Sequence, residues 1–237
     1  MLVIREYCMF VTNYFRMKKL VLSIPLFFSL FSMAQYGYRD GNRIGISGGI
    51  SQCTLFTSSF DSKPGNGFAG GLSVRGNYYN NWSMIYGMQF FNSKFSLGKN
   101  GVETKETEFS LQGVQIRLLL SYNIVQDHVS IDFGPVLQVN GKLSVNGANE
   151  YNVIKYNSVT ETAIQARDVV DVSKIGGALH LGLSAGTKTV RLLVFYQYGF
   201  TNLFNELNNN SDITTLNNNE RLKGNLGTLN GQIVFNL

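Results

Sequence analysis

The residues of this chain best suited to chemistry are two serines, two histidines and a small set of charges spread through alternating segments. Gly45-Ile46-Ser47-Gly48-Gly49 and Gly182-Leu183-Ser184-Ala185-Gly186 both match G-x-S-x-G. That pattern presents a nucleophile only when the serine sits on a strained strand-to-helix turn with histidine and acid partners. Ser47 falls inside an alternating segment and Ser184 closes one with no helical pattern after it, so both read as chance matches. His180 shares a strand face with Ser184, but four residues of strand put them about 13 Å apart. A lipid hydrolase using that pair is the weakest reading. Neither His128 nor His180 has a second ligand at metal spacing. No catalytic, metal or cofactor site is expected.

The charged and amide side chains have a more coherent placement. Arg75, Gln89, Arg117, Asp132, His180, Arg191, Gln197 and Gln232 all occupy the polar face of alternating segments. Arg75, Arg117, Asp132 and Arg191 lie close in sequence to short turns, which predicts one layer of charge near one end of a lumen. Such a lining would suit a selective pore or a packed, hydrogen-bonded plug. An eight-stranded barrel is only just wide enough for side chains to fill, and buried charges must be paired, so the plug is expected. Three arginines against one aspartate leave positive charge for water or a bound anion to balance.

The elements that must hold these residues are strands. Between Lys174 and Phe204 the residues Ile175, Gly177, Leu179, Leu181, Leu183 and Ala185 alternate with Gly176, Ala178, His180, Gly182 and Ser184. After Gly186-Thr187-Lys188-Thr189 the alternation resumes as Val190, Leu192, Val194, Tyr196 and Tyr198 against Arg191, Leu193, Phe195 and Gln197. Two arms of about eleven residues are long for soluble strands and match the roughly 9–11 that tilted membrane-spanning ones need. An apolar face opposite a mixed polar one suits lipid outside and a polar interior inside.

The same alternation recurs along the chain. Strands are expected from Arg43, from Gly67, from Trp82 and from Phe109, the last with its apolar set changing phase across Gly113. Phe91 and Phe95 suggest a register change at the end of the third strand. Further strands start at Val129, with Gly134-Pro135 interrupting, and at about Asn225. Pro64-Gly65 signals a turn in a first loop over 57–66. The connections alternate between short turns and long polar loops, notably 98–108, 143–171 and 205–223, as expected of an outer-membrane barrel. The predicted fold is all-β: a closed antiparallel transmembrane up-and-down β-barrel of eight strands, or ten if 151–170 adds a pair. Tyr78, Trp82 and Tyr122 near the short turns, and Phe200 and Phe204 near the long loops, would form interfacial aromatic girdles.

The N-terminus reads as an address. Met17-Lys18-Lys19 precedes an apolar run to Phe31, and Ser32-Met33-Ala34 offers a cleavage site. Residues 1–34 are expected to be an upstream extension plus signal peptide, with Met17 the true start, and 35–237 the barrel domain. The chain's 20 basic and 15 acidic residues lose four and one with that segment, leaving 16 against 14. No basic patch for nucleic acid remains. Cys8 goes with it as well, leaving Cys53 without a partner for an intrachain disulfide.

LQGVQIRLLLSYNI at 111–124, VSIDFGPVLQV at 129–139 and VFYQYGFTNLF at 194–204, with a strand at the C-terminus, resemble the PorT-like outer-membrane β-barrel family of Gram-negative bacteria. The resemblance covers 41–237. That family often has a proline two residues before the leucines of its fourth strand, where this chain has Gln115-Ile116-Arg117. The resemblance implies a barrel fold and an outer-membrane location, and it carries no catalytic motif. The namesake's link to a protein-secretion apparatus is not carried over, because the matching residues are scaffold. The expected role is that of a monomeric, non-enzymatic barrel, structural or recognitional. Its partners would be the lipid bilayer and an extracellular or secretion-complex protein met through the long loops, with a small solute pore as the competing reading.

Overall fold

The computed structural model describes residues 42–79, 81–157, 161–217 and 220–237, without the side chains of Tyr78, Tyr79 and Asp212. The signal-peptide reading, from the upstream extension to cleavage after Ala34, falls outside the described residues.

Ten strands form in chain order: β1 Arg43–Phe56, β2 Ser62–Tyr79, β3 Trp82–Leu97, β4 Thr107–Val125, β5 Val129–Val145, β6 Val153–Asn157, β7 Thr162–Gln165, β8 Ile175–Gly186, β9 Val190–Gly199 and β10 Asn225–Asn236. Eight of them close into a barrel in the order β1-β10-β9-β8-β5-β4-β3-β2. Each pairs antiparallel with its neighbours, and the seam runs from Gly45 opposite Asn236 to Phe56 opposite Asn225. The extra pair from 151–170 exists, but β6 and β7 pair as strands only with each other, as a separate ribbon. They neither widen the wall nor extend the flanking strands.

Apolar side chains cover the outer face of the barrel strands. Ile50 is 77% exposed, Leu181 63% and Phe90 64%, and Leu72, Ile116, Leu192 and Ile233 add to the same surface. A soluble monomer rarely exposes apolar patches beyond a few hundred Å²; apolar surface on strand after strand of a closed wall calls for lipid. Strands of up to 19 residues, as in β4, exceed the roughly 9–11 needed to cross the hydrocarbon. The wall therefore continues past it.

The inner face has two tiers. Towards the short turns it is polar. Towards the long loops it is an apolar core that includes Leu55, Phe91, Phe95, Phe109, Leu111 and Leu143. This tier explains three expectations that the structure corrects. The phase of β4 does not change at Gly113: Phe109 and Leu111 point inward with Gln115 and Arg117, and it is the lumen that changes character. Phe91 and Phe95 stay on the inner face of β3, whose register with β4 is unbroken. The bulge lies across from them in β2, between Pro64 and Phe68. Pro64-Gly65 therefore belongs to β2 and not to a turn, the proline sitting where the ladder is already broken. The first loop shrinks to 57–61. Gly113 is held to glycine by space, since a Cβ there would lie 2.7 Å from the Phe91 ring.

Candidate functional site

The sealed lumen is the candidate site, and it is best built from the short-turn rim upward. Asp127 has φ 63° in the β4–β5 turn, a left-handed conformation that aspartate tolerates better than most residues. The turn aims its carboxylate at two cations from other elements. Arg43 Nη2, at the start of β1, donates to Oδ1 at 2.9 Å, and Lys188 Nζ, from the β8–β9 turn, lies 3.3 Å from Oδ2. Burial alone would raise the pKa of Asp127, but the hydrogen bonds and charges of Arg43 and Lys188 prevail and hold its carboxyl below the usual carboxylate range. Arg191 Nη1 donates to the Asp127 carbonyl at 2.9 Å, tying the rim to the layer above.

That layer centres on Asp132. Arg75 Nη2 stands 3.4 Å from both carboxylate oxygens, long for a charge-assisted pair. Arg75 Nη1 donates to Ser121 Oγ at 2.7 Å, and Ser130 Oγ donates to Asp132 Oδ1 at 3.1 Å. Ser130 and Ser184 share a hydrogen bond at 2.6 Å, and Arg191 Nη2 donates to Ser184 Oγ at 3.0 Å. Alternation along β4, β5 and β8 puts these small hydroxyls on the inner face, where they leave room for the guanidiniums. Above them Arg117 lies 5.6 Å from the centroid of the Phe195 ring. Phe195 stacks on His180 at 4.4 Å, and Gln197 Nε2 lies 3.3 Å from His180 Nδ1. Gln232 donates to Gln89 at 3.2 Å and Gln89 to Gln115 at 2.7 Å, an amide chain from β10 across to β4.

The structure thus places Arg75, Gln89, Arg117, Asp132, His180, Arg191, Gln197 and Gln232 on the lumen side, and brings Arg75, Asp132 and Arg191 into one bonded cluster beside Arg117. Sequence reasoning missed Ser121, Ser130 and Asp127 as members; their signal was only their place in the alternation and at the turn. Ser184 and His180 have separate partners, with no hydrogen bond between them among the described residues, and Ser47 Oγ donates to the Gly71 carbonyl at 3.3 Å. No constellation among the described residues resembles a serine triad. No group of three or more metal-binding side chains is found among the described residues.

The other end is closed by apolar packing. Phe204 was expected in an interfacial girdle; instead it is 0% exposed and packs edge-on against Phe60 at 5.6 Å. The reason is local. β9 ends at Gly199, and Asn202 Oδ1 accepts from Phe204 N at 3.2 Å and from Gly224 N at 2.8 Å, turning the chain inward over the mouth. Phe200 stays outside and exposed. At the other rim Trp82 packs against Tyr122 at 5.0 Å and Phe133 at 6.3 Å on the outer face. The Tyr78 side chain lies outside the described residues.

The long connections join this closure. Asn208 accepts from Leu222 N at 2.7 Å and donates to Leu222 O at 2.9 Å. A short helix α1, Ser211–Leu216, sits beside the ribbon: Thr162 Oγ1 donates to the Leu216 carbonyl at 3.2 Å, and Lys155 Nζ to Asn217 Oδ1 at 2.7 Å. The Asn-rich segment is therefore a set of backbone clamps, not a free polar tether.

No family model matches the chain, and no curated protein matches it. Among solved structures it is similar to Neisserial surface protein A, with 13% identity and a TM-score of 0.45 over 83% of this chain and 99% of that one. It is similar to Ail, the attachment invasion locus protein of Yersinia pestis, at 16% identity and 0.42, over 83% and 99%. It is also similar to the outer membrane protein OprG of Pseudomonas aeruginosa at 10% and 0.41, over 85% and 98%. These are likenesses of outline, and the membrane reading rests on the chain's own outer surface.

Proposed function

We propose that this protein is a non-enzymatic barrel of the Gram-negative outer membrane, exported through a signal peptide within 1–34. Its lumen serves as packing, and its long connections form a surface for recognising another protein. The observation that carries this reading is closure at both ends. Arg117, Asp132 and Gln89 are at most 2% exposed, where the lining of a water-filled pore would be wet. The material that closes the long-loop mouth is an ordered cap rather than a set of loose tethers. Kinship with PorT-like barrels belongs to the same proposal and rests on the sequence resemblance, which lends a fold and a location and no secretion role.

Ordered loops on a rigid scaffold are where binding concentrates. The cap offers exposed Val102, and Tyr151 with Arg167 stacked over it at 4.8 Å. Photo-crosslinkers at residues 102 and 151 in intact outer membranes test the proposal. One reproducible protein adduct, lost when 146–172 is replaced by a short Gly–Ser turn, is the expected result. Steady single-channel openings of the intact chain in a planar bilayer would overturn it in favour of a pore.

A further inference from the structure

We propose that the polar tier binds a single monovalent anion of halide size, held between Arg75, Arg117 and Arg191. Three guanidiniums and one carboxylate, that of Asp132, line a common cavity with Ser73 and Asn236. The cavity leaves about 20 Å³ for the centre of a guest, enough for a water or a monatomic ion. Its walls carry an excess of positive charge that no acidic side chain among the described residues of the lumen neutralises. Asp132 is shared between Arg75 and the Ser130 hydroxyl. Asp127, at the rim, is already engaged by Arg43 and Lys188.

Two of the residues that line it carry buried donors without acceptors. Arg117 is 2% exposed and Arg191 3%, yet Nε of each finds no acceptor among the described residues. Arg117 makes no hydrogen bond to any described residue; its charge meets only the face of Phe195 and the field of Asp132. Buried charge left unpaired is costly enough that a protein normally supplies a partner. A neutral water satisfies the donors but leaves the surplus of two charges untouched, whereas a halide accepts from the same donors and halves that surplus. This inference does not depend on the recognition role of the cap.

The full barrel domain, refolded in detergent in sodium bromide or in sodium gluconate at equal ionic strength, provides the test. Gluconate is too large for the cavity, and equal ionic strength holds surface screening constant. The expected results are an anomalous bromide peak among the three arginines in crystals and a saturable rise of several degrees in unfolding midpoint with bromide concentration. Arg117→Gln should lose that rise and unfold in gluconate no lower than the wild type. Density with the scattering of water alone, bromide found only outside the barrel, or a midpoint that follows ionic strength whatever the anion overturns the proposal. If Arg117→Gln does not fold, the peak and the midpoint of the wild-type chain decide it.

Discussion

Leu181 and Ser184 are close neighbours on β8 and face different media. Leu181 is exposed on the outer wall, so Leu181→Arg should cost about 2–4 kcal/mol near the bilayer midplane. Ser184 bonds to Ser130 and Arg191, so Ser184→Ala should cost about 1–3 kcal/mol by leaving donors unsatisfied. From sequence alone, with no partner visible, it looks nearly free. Equilibrium unfolding in urea with lipid vesicles measures both. Asp127 gives a pH signature. Its folded-state pKa is depressed, so its contribution is complete above the ordinary aspartate value of about 3.9 and is lost as pH falls through the lower folded value. The wild type should therefore outlast Asp127→Asn at neutral pH. The difference should shrink to nothing in acid, as followed by unfolding midpoints over a pH series.

At the scale of elements, the strands and their faces were legible because a lipid-facing wall imposes strict period-two alternation. Ile175 to Ala185 and Val190 to Tyr198 show it without help. What was not legible is the apolar tier of the lumen. Where the inner face also becomes greasy, as at Phe109 and Leu111, alternation stops distinguishing inside from outside, and a continuous strand reads as a slipped one. Phe204 fails for a related reason: its burial depends on how Asn202 bends the chain after β9, and the residue type alone does not carry that. Phe204→Ala should cost about 3–5 kcal/mol, concentrated in the cap, and should expose 200–224 to protease while β-sheet circular dichroism is unchanged. Trp82, the only tryptophan, reports depth. Its fluorescence should be quenched strongly by lipids brominated near the headgroup and weakly by those brominated at the chain end. Equal quenching would remove it from the interface.

For the molecule as a whole, a fully bonded wall with both ends packed predicts a folded form that survives cold detergent. Unboiled samples should migrate differently from boiled ones on a gel, and protein freed of detergent should leave solution. The site is less legible at this scale than the fold. Arg75 and Asp132 were assigned to a shared layer from their distance to the turns, yet their bonds to Ser121 and Ser130 depend on a stagger between strands that spacing cannot supply. The stagger follows from the registers of β2 with β3, β3 with β4 and β4 with β5, and the wall closes where β1 meets β10. Every other contact in the wall joins strands consecutive along the barrel path, whereas Gly45 and Asn236 are nearly the full described length apart. That junction cannot form until the last strand has arrived. A chain shortened before Asn225 keeps two raw edges and has no way to satisfy them in lipid. The final dozen residues thus act as a completeness check, and assembly either finishes with them or leaves a sheet that the membrane rejects.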